Sequence, residues 1–319
     1  MGDHHVAVGI LLVAASVAYF GQRYARAGKQ RRLPWWGWLG LAIVLVSELL
    51  LLFRLPFVTT FFTAIVWTGY VLLVDSAVLS LEGWSRLSAS PGHFLALAFW
   101  SVPLWLIFEA YNLRLRNWDY VGLPPRLWVQ AIGFVWAFAT IWPAIFETAD
   151  LIRALGFFSA RKRLRPPLPR SVWATLLVLG AVLVAAPTLV PASWGQYLFG
   201  AVWLGFIPLL DTLNHWWGGR SLLATWEAGD HVLVCSFLAS GAVCGILWEF
   251  WNYWASARWV YVFPILQHWK IFEMPFLGFL GFPPFALECF VMYEFLRTLR
   301  RGLRCGTDHE QIGAVTVSR

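Results

Sequence analysis

The chain has 319 residues, of which 59% are hydrophobic and 13% are charged, with 24 Lys and Arg against 17 Asp and Glu. Soluble domains carry about 25% charged residues, so this composition excludes an ordinary soluble protein and indicates one that lies in a bilayer. The apolar residues form long runs and do not alternate with polar ones, which excludes an outer-membrane β-barrel and predicts α-helices.

Nine stretches are apolar enough to cross a bilayer as helices, each of which needs about 20 residues. In chain order they lie at 5–21, 36–53, 57–81, 93–112, 127–152, 171–190, 194–216, 231–253 and 275–298. The first is followed, not preceded, by basic residues, so we expect a retained helix and not a cleaved signal peptide. The predicted fold class is an all-α polytopic integral membrane protein. Between the last two stretches, residues 255–275 are too apolar for a solvated loop and too rich in proline for a span, so we expect an interfacial or re-entrant segment.

Basic residues concentrate in three clusters, Arg23–Arg32, Arg153–Arg170 and Arg297–Arg304, each four predicted spans from the next. Lys and Arg collect in cytoplasmic loops, so the clusters predict an outside N-terminus and a cytoplasmic C-terminus, in a membrane such as the bacterial inner membrane. This placement accounts for the net charge of +7. We therefore expect membrane lipids as partners and no nucleic acid.

Two parts of the chain resemble each other in polar as well as apolar residues. Ala64–Ser76 matches Gly200–Thr212 without a gap. Further along, the two parts share Glu-x-x-Asn, Trp-x-Tyr and Pro-x-x-x-Glu elements in the same order, at 109–112, 118–120 and 143–147 and again at 249–252, 259–261 and 284–288. Such self-similarity predicts two four-helix repeats in parallel orientation.

The predicted organisation has five parts. An N-terminal helix and basic loop occupy 1–35, and the first four-helix repeat occupies 36–153. A basic, proline-rich linker follows at 154–170, because its prolines and charges suit neither a helix interior nor lipid. The second repeat occupies 171–304, and a polar tail follows at 305–319.

Acidic and amide side chains inside apolar segments are costly and often mark function. The candidate catalytic residues are Glu109, Glu147, Glu249 and Glu288. The candidate substrate-binding residues are Asn112, Asn252, Trp118, Tyr120, Trp259, Tyr261, Asp75 and Asp211. We expect the four Glu and two Asn side chains to face a shared cavity. The competing interpretation is that such groups only form hydrogen bonds between helices, worth about 0.6 kcal/mol each.

A carboxyl group in an apolar site favours its neutral form, which can protonate an alkene, and aromatic rings stabilise the resulting cation. The elements Trp118-x-Tyr120 with Pro143 and Glu147, and Trp259-x-Tyr261 with Pro284 and Glu288, resemble short motifs of the small membrane-embedded carotenoid (lycopene) cyclases. That resemblance implies repeated helical units that act on an isoprenoid. Each motif here has one Glu where the family has two.

Other interpretations of the same residues remain open. Paired acids on repeat-related helices also suit a proton- or cation-coupled transporter. The many tryptophans and the apolar segment 255–275 equally suit a non-catalytic subunit that holds lipid or pigment within a larger membrane complex. The four cysteines have no metal-type spacing, so no metal is expected, and the sequence indicates no cofactor. Arg86 and Arg220 are expected to contact lipid phosphates.

Overall fold

Helices account for most of the chain in the computed structural model, which describes residues 2–159 and 165–316. In chain order they are α1 (Gly2–Arg26), α2 (Trp35–Leu52), α3 (Pro56–Glu82), α4 (Arg86–Ala89), α5 (Pro91–Leu115), α6 (Leu127–Ala139), α7 (Ile141–Ala154), α8 (Arg170–Leu189), α9 (Ala192–Gly195), α10 (Phe199–Trp216), α11 (Leu222–Glu227), α12 (Val232–Trp254) and α13 (Phe282–Thr316). A 3₁₀ helix at Phe276–Gly281 leads into α13.

Within the described residues, eight helical segments are long and apolar enough to cross a membrane, which confirms the predicted class of polytopic α-helical membrane protein. The sequence predicts nine spans. The difference is α10, the predicted span 194–216, which is 18 residues long. Its apolar character is lowered by Asp211, Asn214 and His215 near its end. It nevertheless packs along α8 and α13.

Local chemistry sets several helix boundaries. Proline occupies the first turn of α3 and α5, where its missing N–H costs nothing. Gly83 ends α3 in the left-handed conformation that glycine adopts without strain. The single predicted span 127–152 is interrupted at Thr140, between α6 and α7. Pro143 explains this break, because it has no N–H to donate to the carbonyl group four residues earlier.

The bundle has two chemically distinct ends. At one end, strand β1 (Trp118–Val121) pairs antiparallel with strand β2 (Arg258–Tyr261). We call this two-stranded pair the ribbon and this end of the bundle the ribbon end. A shorter pair, β3 (Lys270–Ile271) and β4 (Met274–Pro275), lies nearby in the chain. The short helices α4 and α11 lie at the other end, because α5 and α12 run the length of the bundle between them and the ribbon. The segment 255–275, expected to be interfacial or re-entrant, thus contains the three strands β2, β3 and β4.

The core is formed where α3, α7, α12 and α13 pack together. Trp67 and Trp142 are almost completely buried there. The Trp142 indole donates to the backbone oxygen of Cys289 at 2.8 Å, which joins α7 to α13. Helix α1 is peripheral, touching α12 and β3, and most of its side chains are exposed or half-buried.

Two predicted segments fall partly outside the described residues. The linker 154–170 includes residues 160–164, and the tail 305–319 includes residues 317–319, which are not described. The remainder of the polar tail continues α13 as far as Thr316.

Candidate functional site

The pairing of β1 with β2 brings the two Trp-x-Tyr elements together. Trp118 lies opposite Tyr261, and Tyr120 lies opposite Trp259. The four aromatic residues that the sequence indicates for substrate binding therefore lie side by side. They follow α5 and α12, the helices that carry Glu109 and Glu249.

Two asparagines fix these strands to the ends of their helices. The Asn112 side-chain oxygen accepts from the backbone N–H groups of Asn117 and Trp118 at 2.8 and 3.1 Å, and its amide donates to the Trp118 oxygen at 2.8 Å. Asn252 accepts from the Trp259 N–H at 3.0 Å and donates to the Trp259 oxygen at 2.8 Å. Through these contacts Asn112 and Asn252 position the ribbon.

Glu109 and Glu249 each accept a hydrogen bond from a tyrosine of the ribbon. The Tyr120 hydroxyl donates to Glu109 Oε1 at 2.6 Å, and the Tyr261 hydroxyl donates to Glu249 Oε1 at 2.8 Å. Glu109 also accepts from the Trp105 indole at 2.8 Å and is half-buried. Glu249 is fully buried, and its Oε2 has no hydrogen-bond partner among the described residues.

The tyrosine hydroxyls of these pairs are held in the protonated form. Burial raises the pKa of Tyr120, and the neighbouring Glu109 carboxyl raises it further. Burial likewise raises the pKa of Tyr261, with Glu249 adding to the effect. Each tyrosine therefore remains a hydrogen-bond donor to its glutamate.

An aromatic cavity of about 130 Å³ lies between the ribbon, α3 and α6. Six tryptophans contribute to its wall, Trp67, Trp105, Trp118, Trp203, Trp248 and Trp259, together with Tyr120 and Tyr261. None of the four candidate glutamates lines it directly. Glu109 and Glu249 stand behind the two tyrosines and contact the cavity wall through the tyrosine hydroxyls, and Glu109 also does so through the Trp105 indole.

Glu147 and Glu288 are not part of this arrangement. Both are fully buried, on α7 and α13, and no carboxyl oxygen of either has a hydrogen-bond partner of normal geometry among the described residues. Glu147 lies close to Asp75, Arg86 and Asp150, towards the end of the bundle opposite the ribbon. Glu288 lies beside the backbone of Phe206. The structure thus brings Glu109 and Glu249 to the cavity and leaves the other two acids outside its wall.

Asp75 and Asp211 lie far from the ribbon and make matching contacts at the opposite end. Asp75 accepts from the Ser85 hydroxyl at 3.0 Å and from the Leu87 N–H at 2.9 Å. Asp211 accepts from the Ser221 hydroxyl at 2.9 Å and from the Leu222 and Leu223 N–H groups at 2.6 and 3.0 Å. Each aspartate therefore holds the start of a short helix, α4 or α11, against the bundle. Neither aspartate is among the residues that line the aromatic cavity.

Two ion-pair clusters around buried acids lie at this same end and were not predicted from the sequence. Arg86 pairs with Asp150 at 2.7 Å, and Arg153 pairs with the same carboxylate at 3.3 Å. In the second cluster, Arg220 and Arg297 lie 3.8 and 2.7 Å from Glu294. Burial lowers the pKa of Arg86, but Asp150 and Glu147 raise it and the net shift is upward. Arg86 and Arg220, expected to contact lipid phosphates, thus contact buried acids of the protein.

A sequence signal for these clusters exists in the spacing of the acids. Asp150 and Glu294 are each followed three residues later by arginine, so that acid and base share one helical face. Phe146 and Phe290 precede the two acids by four residues. The Arg86 guanidinium lies 5.0 Å from the ring centre of Phe146, and the Arg220 guanidinium lies 5.4 Å from that of Phe290. Asp150 and Glu294 are 144 residues apart in the chain, as are Phe146 and Phe290, whereas Glu147 and Glu288 are 141 residues apart. Glu147 and Glu288 therefore do not lie at equivalent positions relative to the two clusters.

Comparison of the chain with protein-family models, curated proteins and solved structures finds no match.

Proposed function

We propose that this membrane protein binds an apolar, isoprenoid- or lipid-like ligand in the aromatic cavity and acts on it by proton transfer. The observation that carries the proposal is the cavity wall itself, in which two tyrosines, each bonded to a glutamate behind it, stand among six tryptophans. The apolar rings suit a hydrocarbon chain, and their faces stabilise positive charge.

The two Tyr–Glu pairs provide an acid and a base at one cavity. In the proposed reaction, the Tyr261 hydroxyl turns from Glu249 to the bound ligand and gives its proton to an alkene carbon, and Glu249 in its neutral form replaces that proton. The carbocation formed on the ligand faces the tryptophan rings. A neighbouring carbon then loses a proton to the ionised Glu109 through Tyr120, which restores a double bond. The product is an isomer of the substrate, so no oxidant or reductant is consumed. The step leaves Glu249 ionised and Glu109 protonated, and exchange of protons with water returns both to their starting forms before the next turnover.

The resemblance of the Trp-x-Tyr and Pro-x-x-x-Glu elements to the lycopene cyclases supports an isoprenoid ligand. The matching contacts of Asp75 and Asp211, and of Asn112 and Asn252, support two repeats with the cavity at their junction. In the alternative role, the protein is a non-catalytic subunit of a larger membrane complex and holds its ligand in the same cavity. This role differs only in that the tyrosines transfer no proton.

Filling the cavity is expected to remove the bound ligand. Gly133 lines the cavity on α6, and a Cβ atom added there meets only the Phe61 ring, at 3.4 Å. Gly133→Phe should therefore place a ring in the cavity and leave the bundle intact. The measurement is extraction and mass spectrometry of lipophiles that co-purify with the full chain in nanodiscs.

The matched control is Gly200→Phe. Gly200 is exposed on α10, and a Cβ atom added there has no neighbouring atom within 4 Å. This variant should retain the lipophile that Gly133→Phe loses. Equal ligand content in both variants and in the unchanged chain would place the ligand elsewhere and contradict the proposal.

We further propose that the ribbon end faces the outside of a bacterial-type inner membrane and that both basic clusters near α7 and α13 face the cytoplasm, as the charge distribution predicts. In a chain without Cys235 and Cys305, Ser256→Cys at the ribbon end should react with an impermeant maleimide in intact cells. Ser159→Cys, exposed beyond α7, should react only after the cells are opened. Labelling in the reverse pattern would invert the topology.

A second candidate function, proton-coupled transport, is favoured by one observation. Glu147 is fully buried without a hydrogen-bond partner among the described residues and lies near Asp75, Arg86 and Asp150. A buried carboxyl group that no donor satisfies is suited to taking up and releasing a proton. Proton flux into liposomes that contain the purified chain separates this function from ligand binding.

A further inference from the structure

We propose that the ligand of the aromatic cavity is a single-chain amphiphile with a phosphate head, and that Arg258 binds this head. The inference rests on the proposed function, since it concerns the same cavity. It goes beyond that function by giving the ligand an anionic group, a fixed orientation and one residue that selects it.

The cavity wall changes from polar to apolar with depth. Thr60 lies just inside the start of α3, Gln130 lies in the first turn of α6, and Arg258 begins β2, so all three stand at the ribbon end. Deeper in the bundle the wall consists of groups such as Trp67 and Phe285, both almost completely buried. A ligand that satisfies both parts has a polar head at the ribbon end and an apolar chain directed into the bundle.

Arg258 is the one charged residue among the described residues that line the cavity. Its side chain is 36% exposed, and its ion pair with Glu273 is long, with 3.4 Å between Nε and Oε1. Its other contact is a 3.5 Å hydrogen bond from Nη1 to the Ala255 oxygen. Guanidinium N–H groups thus remain for a ligand, and their planar arrangement matches the oxygens of a phosphate.

The loops around the cavity mouth add to this positive charge. Residues 53–55, 116–126 and 255–275 carry Arg54, Arg116, Arg126, Arg258 and Lys270 against Asp119 and Glu273. The rule that places basic residues on the cytoplasmic side does not explain this excess, because the ribbon end is the predicted outer end. An excess of positive charge at a cavity mouth attracts an anionic ligand.

The small, aromatic interior suits one unsaturated chain. The cavity, of about 130 Å³, is bounded by rings from α3, α6 and the ribbon. Aromatic faces pack well on flat, unsaturated hydrocarbon. We therefore assign the site to an isoprenoid phosphate and not to a two-chain phospholipid.

The test is equilibrium binding of radiolabelled farnesyl phosphate to the full chain in phosphatidylcholine nanodiscs, compared with farnesol, inorganic phosphate and added phosphatidic acid. Farnesyl phosphate should bind about tenfold or more tightly than farnesol, because a hydrogen bond to a charged group is worth at least that factor. Arg258→Gln should remove this difference and leave farnesol binding unchanged. Arg32→Gln is the control, since Arg32 is exposed at the opposite end of the bundle and does not line the cavity. It should behave as the unchanged chain.

Glu273→Gln provides a result of opposite sign. It removes the carboxylate that competes for Arg258, so it should tighten farnesyl phosphate binding and not affect farnesol. If Arg258→Gln does not fold, Glu273→Gln and Arg258→Lys, which keeps the charge, decide the question.

Three outcomes would overturn the inference. Equal binding of farnesol and farnesyl phosphate by the unchanged chain would show that the cavity has no phosphate site. The proposed function would not be contradicted by that result. Competition by inorganic phosphate or phosphatidic acid at the concentration of farnesyl phosphate would show that the isoprenoid chain is not selected. Absence of binding by both isoprenoids would remove the proposed function as well.

Discussion

Replacing Asp211 with alanine is expected to lower the free energy of unfolding by about 3 kcal/mol. The Asp211 carboxylate accepts from the Ser221 hydroxyl and from two backbone N–H groups at the start of α11. The side chain is 1% exposed, so water cannot replace the lost contacts. Alanine would leave several buried donors unsatisfied, and each costs about 1–3 kcal/mol. Equilibrium unfolding of the purified chain in mixed micelles measures the change.

Two variants serve as comparisons for Asp211→Ala. Asp211→Asn keeps one acceptor oxygen and should lose less stability than the alanine variant. Asp119→Asn alters an exposed aspartate at the ribbon end and should change stability by no more than about 0.5 kcal/mol. An alanine variant as stable as the unchanged chain would show that α11 is not held by Asp211.

Replacing Glu249 with glutamine is expected to reduce proton transfer to the ligand about a hundredfold or more, while the fold is kept. Glutamine has nearly the shape of glutamate and can still accept from the Tyr261 hydroxyl, but it cannot supply a proton. The measurement is incorporation of deuterium into the isoprenoid when the chain is incubated with it in heavy water, followed by mass spectrometry. This readout detects protonation of an alkene whatever the structure of the product.

Further variants separate proton transfer from packing. Tyr261→Phe removes the hydroxyl that lies between Glu249 and the cavity, so it should also abolish deuterium incorporation. Glu82→Gln, an exposed position at the end of α3, should leave incorporation unchanged. Ligand that stays bound in the unchanged chain without gaining deuterium would favour the non-catalytic, ligand-holding role.

The cavity could be anticipated in its residues but not in its arrangement. The sequence indicates Trp118, Tyr120, Trp259 and Tyr261 as ligand-binding residues, and all four line the cavity. It groups Glu147 and Glu288 with Glu109 and Glu249, because the four lie in similar motifs. The structure separates them, since position along a helix and packing against other helices decide which acids share a space. Spacing within a motif reflects only local geometry.

By itself the sequence determined the class of the protein and the main helices, because bilayer thickness and the cost of exposed backbone polar groups force long apolar runs into spanning helices. It also marked Asp75, Asp211, Asn112 and Asn252 as unusual polar residues within apolar segments. Only the tertiary structure decided what they do. Their oxygens accept hydrogen bonds from backbone and hydroxyl groups five to twelve residues further on. Pairing of β1 with β2, and the cavity beside it, join segments about 140 residues apart. Such contacts depend on how helices pack in three dimensions, and hydropathy along the chain does not determine which distant side chains will meet.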